Sequence, residues 1–600
     1  MNSSMFGYHG RYLRVDARPG RSGLVPIPES VLRTHLGGVG LGTWIVARET
    51  PPRVDPLGPD ATLVFALSPL VGSPLTTSAK FAVVAISPLT GRLCDALSSS
   101  HFAIAAKRSG VDAIAVSGHF ESPSLIFIDG MGRAEPSLEV RPAGSLWGLP
   151  AREAEDAIRR DFGADWQVAA IGPAGERLIP YATLSHDGRH AGRGGLGAVL
   201  GSKNVKAIAV RGDRRVEVAD PARVIAIAKD LSARSFGPAT EKYRELGTVA
   251  NLLVFNRFDA LPTRNFQSGH FDGAERLATE DLAPARKVAR NSCAACTIGC
   301  EHVYALGSKG GVRLEYESLF ALGPLLGVDE PNAVLEAARL CDELGLDTIS
   351  TGGTIAFIME CVDRGMIAGE LPSGRVLRFG DGSAVREAIE LIPGRVGLGE
   401  LLALGSRKAA ERVGGDASEF AMHVKGMEMP GYDPRSLQTM ALGLAVGTRG
   451  ADHNRSGAYE ADFSEKVDRF RGGPESARLA IETEDRAAIM DSMILCKFLR
   501  GVFLDFHEES AAMLSAVTGW EMSATELRQA ARGIVHARKR VNQREGWTRV
   551  EDTLPDRLLT DGPDEAGARG LPRVRLDAMI SAYYRLREWD EEGIVPAAEL

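Results

Sequence analysis

Seven cysteines occur in 600 residues, and three of them, Cys293, Cys296 and Cys300, fall in the short run Asn-Ser-Cys-Ala-Ala-Cys-Thr-Ile-Gly-Cys. A fourth, Cys496, stands alone far downstream. CxxCxxxC plus one remote thiolate suits a [4Fe–4S] cluster, which takes four cysteine ligands from a loop and a distant segment. Structural zinc is the competing reading, although zinc favours paired CxxC knuckles or mixed Cys/His sets. Cys94, Cys341 and Cys361 then read as ordinary buried thiols.

Other residues invite a ligand. Gly192-Arg193-Gly194-Gly195-Leu196-Gly197 matches GxGxxG. Such a turn lets backbone N–H groups approach a phosphate, with a following helix adding its dipole and Arg189 and Arg193 adding charge. The preceding Ser185-His186-Asp187-Gly188-Arg189-His190 is polar and gives no clean strand, which argues against a dinucleotide fold. A turn that merely needs glycine is the alternative. Two segments share the form Asp-x-x-x-Leu-(Asp/Cys): Asp342-Glu343-Leu344-Gly345-Leu346-Asp347 and Asp491-Ser492-Met493-Ile494-Leu495-Cys496. A carboxylate so placed can accept hydrogen bonds from the amino and ring N–H groups of a pterin; taken singly, each is an ordinary solvated helix end. Glu317 and His453 offer an acid–base pair, with structural roles as the alternative.

Behind these residues the texture of the chain changes once. Up to about residue 210, short apolar runs such as Leu63-Val64-Phe65-Ala66-Leu67, Phe81-Ala82-Val83-Val84-Ala85-Ile86 and Ala207-Ile208-Ala209-Val210 are bounded by Gly, Pro, Ser or Asp and predict strands. From Asp220 onward the apolar spacing is helical, with Pro331 suited to a first turn and Gly345 to a stop. Residues 371–381 are glycine-rich and predict a loop. The length predicts several domains, and 44% apolar residues can fill large cores. A net charge of −8 without a basic cluster argues against nucleic acid as a partner. No window approaches 18 consecutive apolar residues, so no membrane span is expected. The first residues hold no apolar signal core, and with an odd cysteine count this predicts a reducing cytoplasm.

Taken together, these motifs resemble the tungsten-containing aldehyde:ferredoxin oxidoreductase family. Five separated stretches carry the likeness in order: Gly10-Arg11-Tyr12-Leu13 with Leu36-Gly37-Gly38-Val39-Gly40-Leu41, Ile171-Gly172-Pro173-Ala174-Gly175-Glu176, the stretch 192–209, the stretch 341–353, and Asp552-Thr553-Leu554-Pro555 with Tyr583-Tyr584-Arg585-Leu586-Arg587. The resemblance implies two pyranopterins chelating one tungsten (or molybdenum), a neighbouring [4Fe–4S] cluster on Cys293, Cys296, Cys300 and Cys496, and Mg²⁺ bridging the pterin phosphates. Asp342, Leu346, Asp347 and Asp491 would hold the pterins. Arg189, His190, Gly192 and Arg193 would surround the phosphates, with Arg449 and Arg455 also on the cofactor. Glu317 and His453 would stand beside the metal, facing it from opposite walls, with Glu317 as base and His453 as donor to the developing oxyanion.

The chain departs from the family pattern in places. Ile494 stands where glycine is usual. Lys80 replaces an arginine that links cluster and pterin. Leu97 and Ser99 replace Asn and Gly near the magnesium. Glu336-Ala337-Ala338-Arg339 replaces a Glu-x-x-His metal motif, so no metal is expected there. The implied fold is α/β (α+β): a β-rich cofactor-cradling part over 1–212, then mostly helical parts over 213–420 and 421–600. The implied activity is aldehyde oxidation with water, the electrons passing to ferredoxin or a ferredoxin-like subunit; a homo-oligomer is compatible with it. The alternatives are a relative reducing a carboxylic acid or an aromatic acyl-thioester, and a zinc-stapled interaction protein without redox chemistry.

Overall fold

The computed structural model describes residues 5–99, 101–278, 287–560 and 570–597. Two six-stranded sheets form within the first 211 residues. The first comprises β1 (Arg11–Asp16), β2 (Gly23–Pro26), β3 (Leu63–Ala66), β4 (Lys80–Ile86), β5 (Leu93–Ser99) and β6 (Ala113–Ser117), in the order β2-β1-β6-β3-β4-β5. The second comprises β7 (Ser124–Asp129), β8 (Ser137–Pro142), β9 (Gln167–Ile171), β10 (Leu184–His186), β11 (Arg189–Ala191) and β12 (Val205–Arg211), in the order β11-β10-β9-β12-β7-β8. Each sheet has one parallel pair, β1 with β6 and β12 with β7.

The apolar runs are continuous because both faces of these strands are covered. Leu13, Phe65, Val83 and Ile114 point into a core shared with Ile126, Ile171 and Ile208 of the second sheet. The helices His101–Arg108 and Leu196–Gly201 lie in that core and touch both sheets. The alternate residues Tyr12, Val64, Val84 and Ala115 pack on Val39, Leu41 and Ile45 of the helix Gly38–Glu49. Leu125, Phe127, Val168 and Ala209 pack on Ala151 and Ile158 of the helix Ala151–Phe162.

From Pro221 onward helices dominate around one large core. The predicted helix at Pro331 runs Pro331–Leu344 and ends on left-handed Gly345. A three-stranded sheet interrupts the helices: β13 (Lys287–Asn291), β14 (Glu301–Ala305) and β15 (Gly311–Arg313). One expectation fails before the glycine motif. The polar 185–190 stretch is strand-forming, because β10 and β11 make a tight hairpin turning on Asp187 (φ 50°) and Gly188 (φ 68°). Asp-Gly is the pair that a two-residue turn of positive φ prefers.

Candidate functional site

A cavity of about 570 Å³ opens between the β-rich part and the helices. All the predicted site residues line it except Cys296, Asp342, Leu346 and Asp347.

The cysteine run is the loop joining β13 to β14, so Cys293 and Cys300 lie at the two ends of a hairpin whose last pair is Asn291 with Glu301. Left-handed Ala295 and Gly299 fold the loop back on itself, and the Ile298 N–H donates to Cys296 Sγ at 3.3 Å. Cys496 follows the helix Pro474–Met493 and reaches the same cavity. Burial pushes the Cys296 thiol up to about 11, and the neighbouring Cys496 and Cys293 add to this. Crowded buried thiols of this kind become ligands when a cation offsets their charge. Among the described residues, Glu155, His186 and Asp187 place three ligand atoms within 4.8 Å of one another, and the four cysteines form no such trio. That acidic group is already bridged by Arg159 Nη2, 2.7 Å from Glu155 and 2.9 Å from Asp187.

The two acidic segments have the same backbone. Each spans the last turn of a helix and its ending, with a left-handed residue (Gly345 or Ile494) and an N–H returning five residues: Leu346 to Cys341 O at 2.8 Å, Leu495 to Met490 O at 2.7 Å. This is the Schellman ending, and it puts Asp342 and Asp491 at matching positions. Each seats on a glycine from a different sheet region. A Cβ on Gly172, after β9, would meet Leu344 O at 2.7 Å, and one on Gly38 would meet Asp491 O at 2.3 Å. Those close approaches explain the glycines of Ile171-Gly172-Pro173 and Leu36-Gly37-Gly38.

Their polar surroundings differ. Asp342 lies 3.1 Å from His190 Nε2. Asp491 is buried between Arg455 (3.1 Å) and Lys497 (3.0 Å). Asp347 caps the helix Thr348–Asp363 by accepting from Ser350 N–H at 3.1 Å, and Leu346 is buried. Neither therefore lies on the cavity wall.

The glycine motif divides in the same way. Gly192 lines the cavity and a Cβ there would meet only Asp347 Oδ1, at 3.9 Å, whereas a Cβ on Gly195 would strike Pro180 O. The Gly197 N–H is already spent on Ala182 O, so the helix after the motif offers no phosphate site there. Charge comes instead from side chains. Arg189 pairs with Glu301 at 2.6 Å, and Arg193 reaches Ala451 O and Asp347. Arg449 and Arg455 both pair with buried Asp95, which Arg538 also holds at 2.6 Å.

Glu317 lies in the first turn of the helix Tyr316–Leu322 and His453 starts the helix His453–Ser456. They are neighbours and do not face each other across the cavity: Glu317 Oε1 lies 3.3 Å from His453 Nδ1. One loop places both. The Gly431 N–H donates to Glu317 Oε2 at 3.1 Å, and Tyr432 stacks on His453 with ring centroids 4.9 Å apart. Burial pushes the Glu317 carboxyl up to about 8, against the Gly431 N–H and Arg193. Burial also holds the His453 imidazole down at about 3, against Asp452. Near neutral pH the pair is thus a carboxylic acid beside a neutral imidazole.

The fit to a charged, hydrogen-bonding cofactor rests on buried polar atoms whose hydrogen bonding is incomplete. Arg189 Nη2, His190 Nε2, Arg193 Nε, Glu317 Oε1, Arg449 Nε, His453 Nδ1 and Asp491 Oδ2 are buried without a well-aligned hydrogen bond, although all but Arg449 Nε lie 2.6–3.5 Å from a charged or titratable partner. A buried polar group left wholly unsatisfied costs about 1–3 kcal/mol. Sequence reasoning passed over Thr77, Asp95, Tyr432, Lys497 and Arg538; of these, only Lys497 adjoins a quoted motif, directly after Cys496.

Comparisons with known proteins agree with this architecture. The family model described as "Aldehyde ferredoxin oxidoreductase, N-terminal domain" matches residues 12–212, and "Aldehyde ferredoxin oxidoreductase, domains 2 & 3" matches 227–600. The tungsten-containing aldehyde ferredoxin oxidoreductase of Pyrococcus furiosus is 36% identical, covering 99% of this chain and 98% of that one. The WOR-like subunit of an aliphatic sulfonate oxidoreductase from the same organism is 29% identical over 98% of this chain and 96% of its own. The solved active-site complex BamBC of benzoyl coenzyme A reductase, with 1,5-dienoyl-CoA, shares the fold at a TM-score of 0.83 and 21% identity, covering 98% of this chain and 96% of that one.

Proposed function

The chain belongs to the aldehyde ferredoxin oxidoreductase family, and from that premise we propose that it oxidises an aldehyde with water to a carboxylic acid at a tungsten bis-pyranopterin centre. It is an oxidoreductase of a family that includes tungsten-containing enzymes. One observation carries the proposal: Cys293, Cys300 and Cys496, one of the paired helix-end carboxylates and the Glu317–His453 pair line one cavity, together with buried polar atoms that lack a well-aligned hydrogen bond.

Cys293, Cys296, Cys300 and Cys496 would hold a [4Fe–4S] cluster. Their spread supports a cluster over a single zinc ion, since thiolates about 2.3 Å from one zinc crowd to roughly 3.8 Å from one another. Asp342 and Asp491 would each accept from one pterin, and Arg189, His190, Gly192 and Arg193 would flank the phosphates and Mg²⁺, with Leu97 and Ser99 nearby. Leu346 and Asp347 act through the backbone of the first motif. When bound, such a centre would supply two-electron redox chemistry, and a cluster held by these cysteines would supply one-electron transfer towards ferredoxin or a ferredoxin-like subunit.

The protein's own part is protonic. As a carboxylate, Glu317 takes a proton from water or the aldehyde hydrate, and His453 orients it and donates to the developing oxyanion. The protonated state of Glu317 near neutral pH favours a second reading, reduction of a carboxylic acid, in which Glu317 delivers that proton. We read the chain as three parts, 1–212, 213–420 and 421–600, working in a reducing cytoplasm, which seven unpaired thiols support. Elemental analysis of anaerobically purified protein, followed by an aldehyde panel with viologen dye, tests the proposal. Iron with tungsten or molybdenum and dye reduction are expected; zinc alone would overturn it.

A further inference from the structure

We infer that Arg313 is a further cofactor-binding residue, a guanidinium that joins the cluster-bearing sheet to the Asp342 side of the bis-pterin site. The inference rests on the proposed cofactor. Arg313 ends β15, whose partner β14 begins immediately after Cys300. Its side chain lines the 570 Å³ cavity and also a second cavity of about 810 Å³, which holds Asp342.

Its observed partners leave most of its fork unused. Nη1 donates to Gly188 O of the β10–β11 turn at 3.1 Å, and Nη2 lies 3.2 Å from Glu315. Glu315 is 46% exposed, and an ion pair that open contributes about 0–1 kcal/mol. A guanidinium carries five N–H donors in a fixed plane, so several remain for a ligand.

Charge placement gives the second argument. Arg313 pairs with Glu315 and shares cavity walls with Glu301, Cys293 and Asp342, whose charges raise its basicity against burial. Lys80 shares the wall of the first cavity with Cys293, Cys496 and Asp491, whose charges likewise raise its basicity against burial. Cys293, Lys80 and Arg313 all line the 570 Å³ cavity, with Asp491 on the same wall and Asp342 in the second cavity. Lys80 is a point charge, whereas Arg313 supplies the planar fork that suits a phosphate or the edge of a pterin.

The alternative is that Arg313 only pins the hairpin through Glu315 and Gly188. Arg313→Gln, Arg313→Lys and Glu315→Gln, each purified anaerobically as the full chain, separate the two. Tungsten or molybdenum and oxidised-pterin fluorescence are measured per iron, and the cluster is titrated by EPR. Arg313→Gln is expected to lose metal and pterin several-fold, keep its iron, and move the cluster to a lower potential. Arg313→Lys should recover the potential but not the pterin, and Glu315→Gln should match wild type. Normal loading and potential in Arg313→Gln, or the same losses in Glu315→Gln, would overturn the assignment alone. Wild-type protein lacking both tungsten and molybdenum would overturn the proposed function with it.

Discussion

The Cys496 N–H donates to Thr77 Oγ1 at 3.1 Å, across 419 positions of sequence. Thr77, itself left-handed at φ 65°, donates its own N–H to Ala295 O at 2.6 Å, and Thr76 Oγ1 accepts from Thr297 N–H at 3.1 Å. Two adjacent threonines before β4 therefore hold both sources of thiolate in register.

Thr77→Ala strands the Cys496 N–H, at a cost of about 1–3 kcal/mol. Its expected consequence is a folded protein with reduced iron and a weaker reduced-state EPR signal. Thr77→Ser keeps the hydroxyl and should restore both. Cys496→Ala should abolish the signal. Full iron in both Thr77→Ala and Cys496→Ala would refute the clamp and the ligand assignment together.

Asp342 and Asp491 should respond differently to alanine despite their matching backbones. Asp342 faces a cavity with His190 beside it, so Asp342→Ala should lose pterin and tungsten with little change in melting temperature. Asp491 is buried and neutralises Lys497, whose amine burial holds down at about 8. Removing one partner of a buried pair costs about 3–5 kcal/mol. Asp491→Ala should therefore melt several degrees lower as well as lose pterin. Calorimetry beside pterin fluorescence checks this, and equal melting of the two variants would contradict it.

Ile494 shows how a departure from family pattern is absorbed. It sits left-handed at φ 65°, where glycine is the relaxed choice and a β-branched residue stores about 1–2 kcal/mol. It is also fully buried, in the core around the helix Gly38–Glu49. Truncating a buried isoleucine costs about 2–5 kcal/mol, so packing outweighs strain. Ile494→Gly is expected to destabilise the protein by about 1–3 kcal/mol in chemical denaturation. A more stable Ile494→Gly would mean that strain dominates.

Much of the architecture is legible because its signals are local. Continuous apolar runs mark doubly covered strands, Pro331 and Gly345 bracket a helix, and cysteine spacing marks a loop. What is lost depends on partners distant in sequence. Ser185-His186-Asp187-Gly188-Arg189-His190 reads as polar loop because its strands are three residues each and their pairing is visible only in Asp-Gly. The proximity of Glu317 to His453 is fixed by Gly431 and Tyr432, which carry no chemical signature. Thr77 and Arg313 are ordinary surface-type residues until β4 and β15 bring them beside the cysteines.

Glu317 gives the sharpest test. With its carboxyl pushed up to about 8, it is mostly protonated at pH 7 and becomes a base only as pH rises through that value. Aldehyde oxidation limited by this base should therefore climb between about pH 7 and 9, whereas acid reduction, which needs the proton, should decline over the same range. His453, held down at about 3, stays neutral throughout and contributes no limb to either profile. Glu317→Gln keeps the side chain's bulk and its acceptor for Gly431 N–H but cannot take a proton. Losing a positioned base costs about 10²–10⁴-fold in rate. The variant should retain iron, tungsten and pterin, lose turnover on that scale, and lose the rise in rate with pH. A merely structural Glu317 predicts cofactor loss instead. Near-normal turnover in a fully loaded Glu317→Gln protein, still rising with pH, would assign the proton transfer to another group.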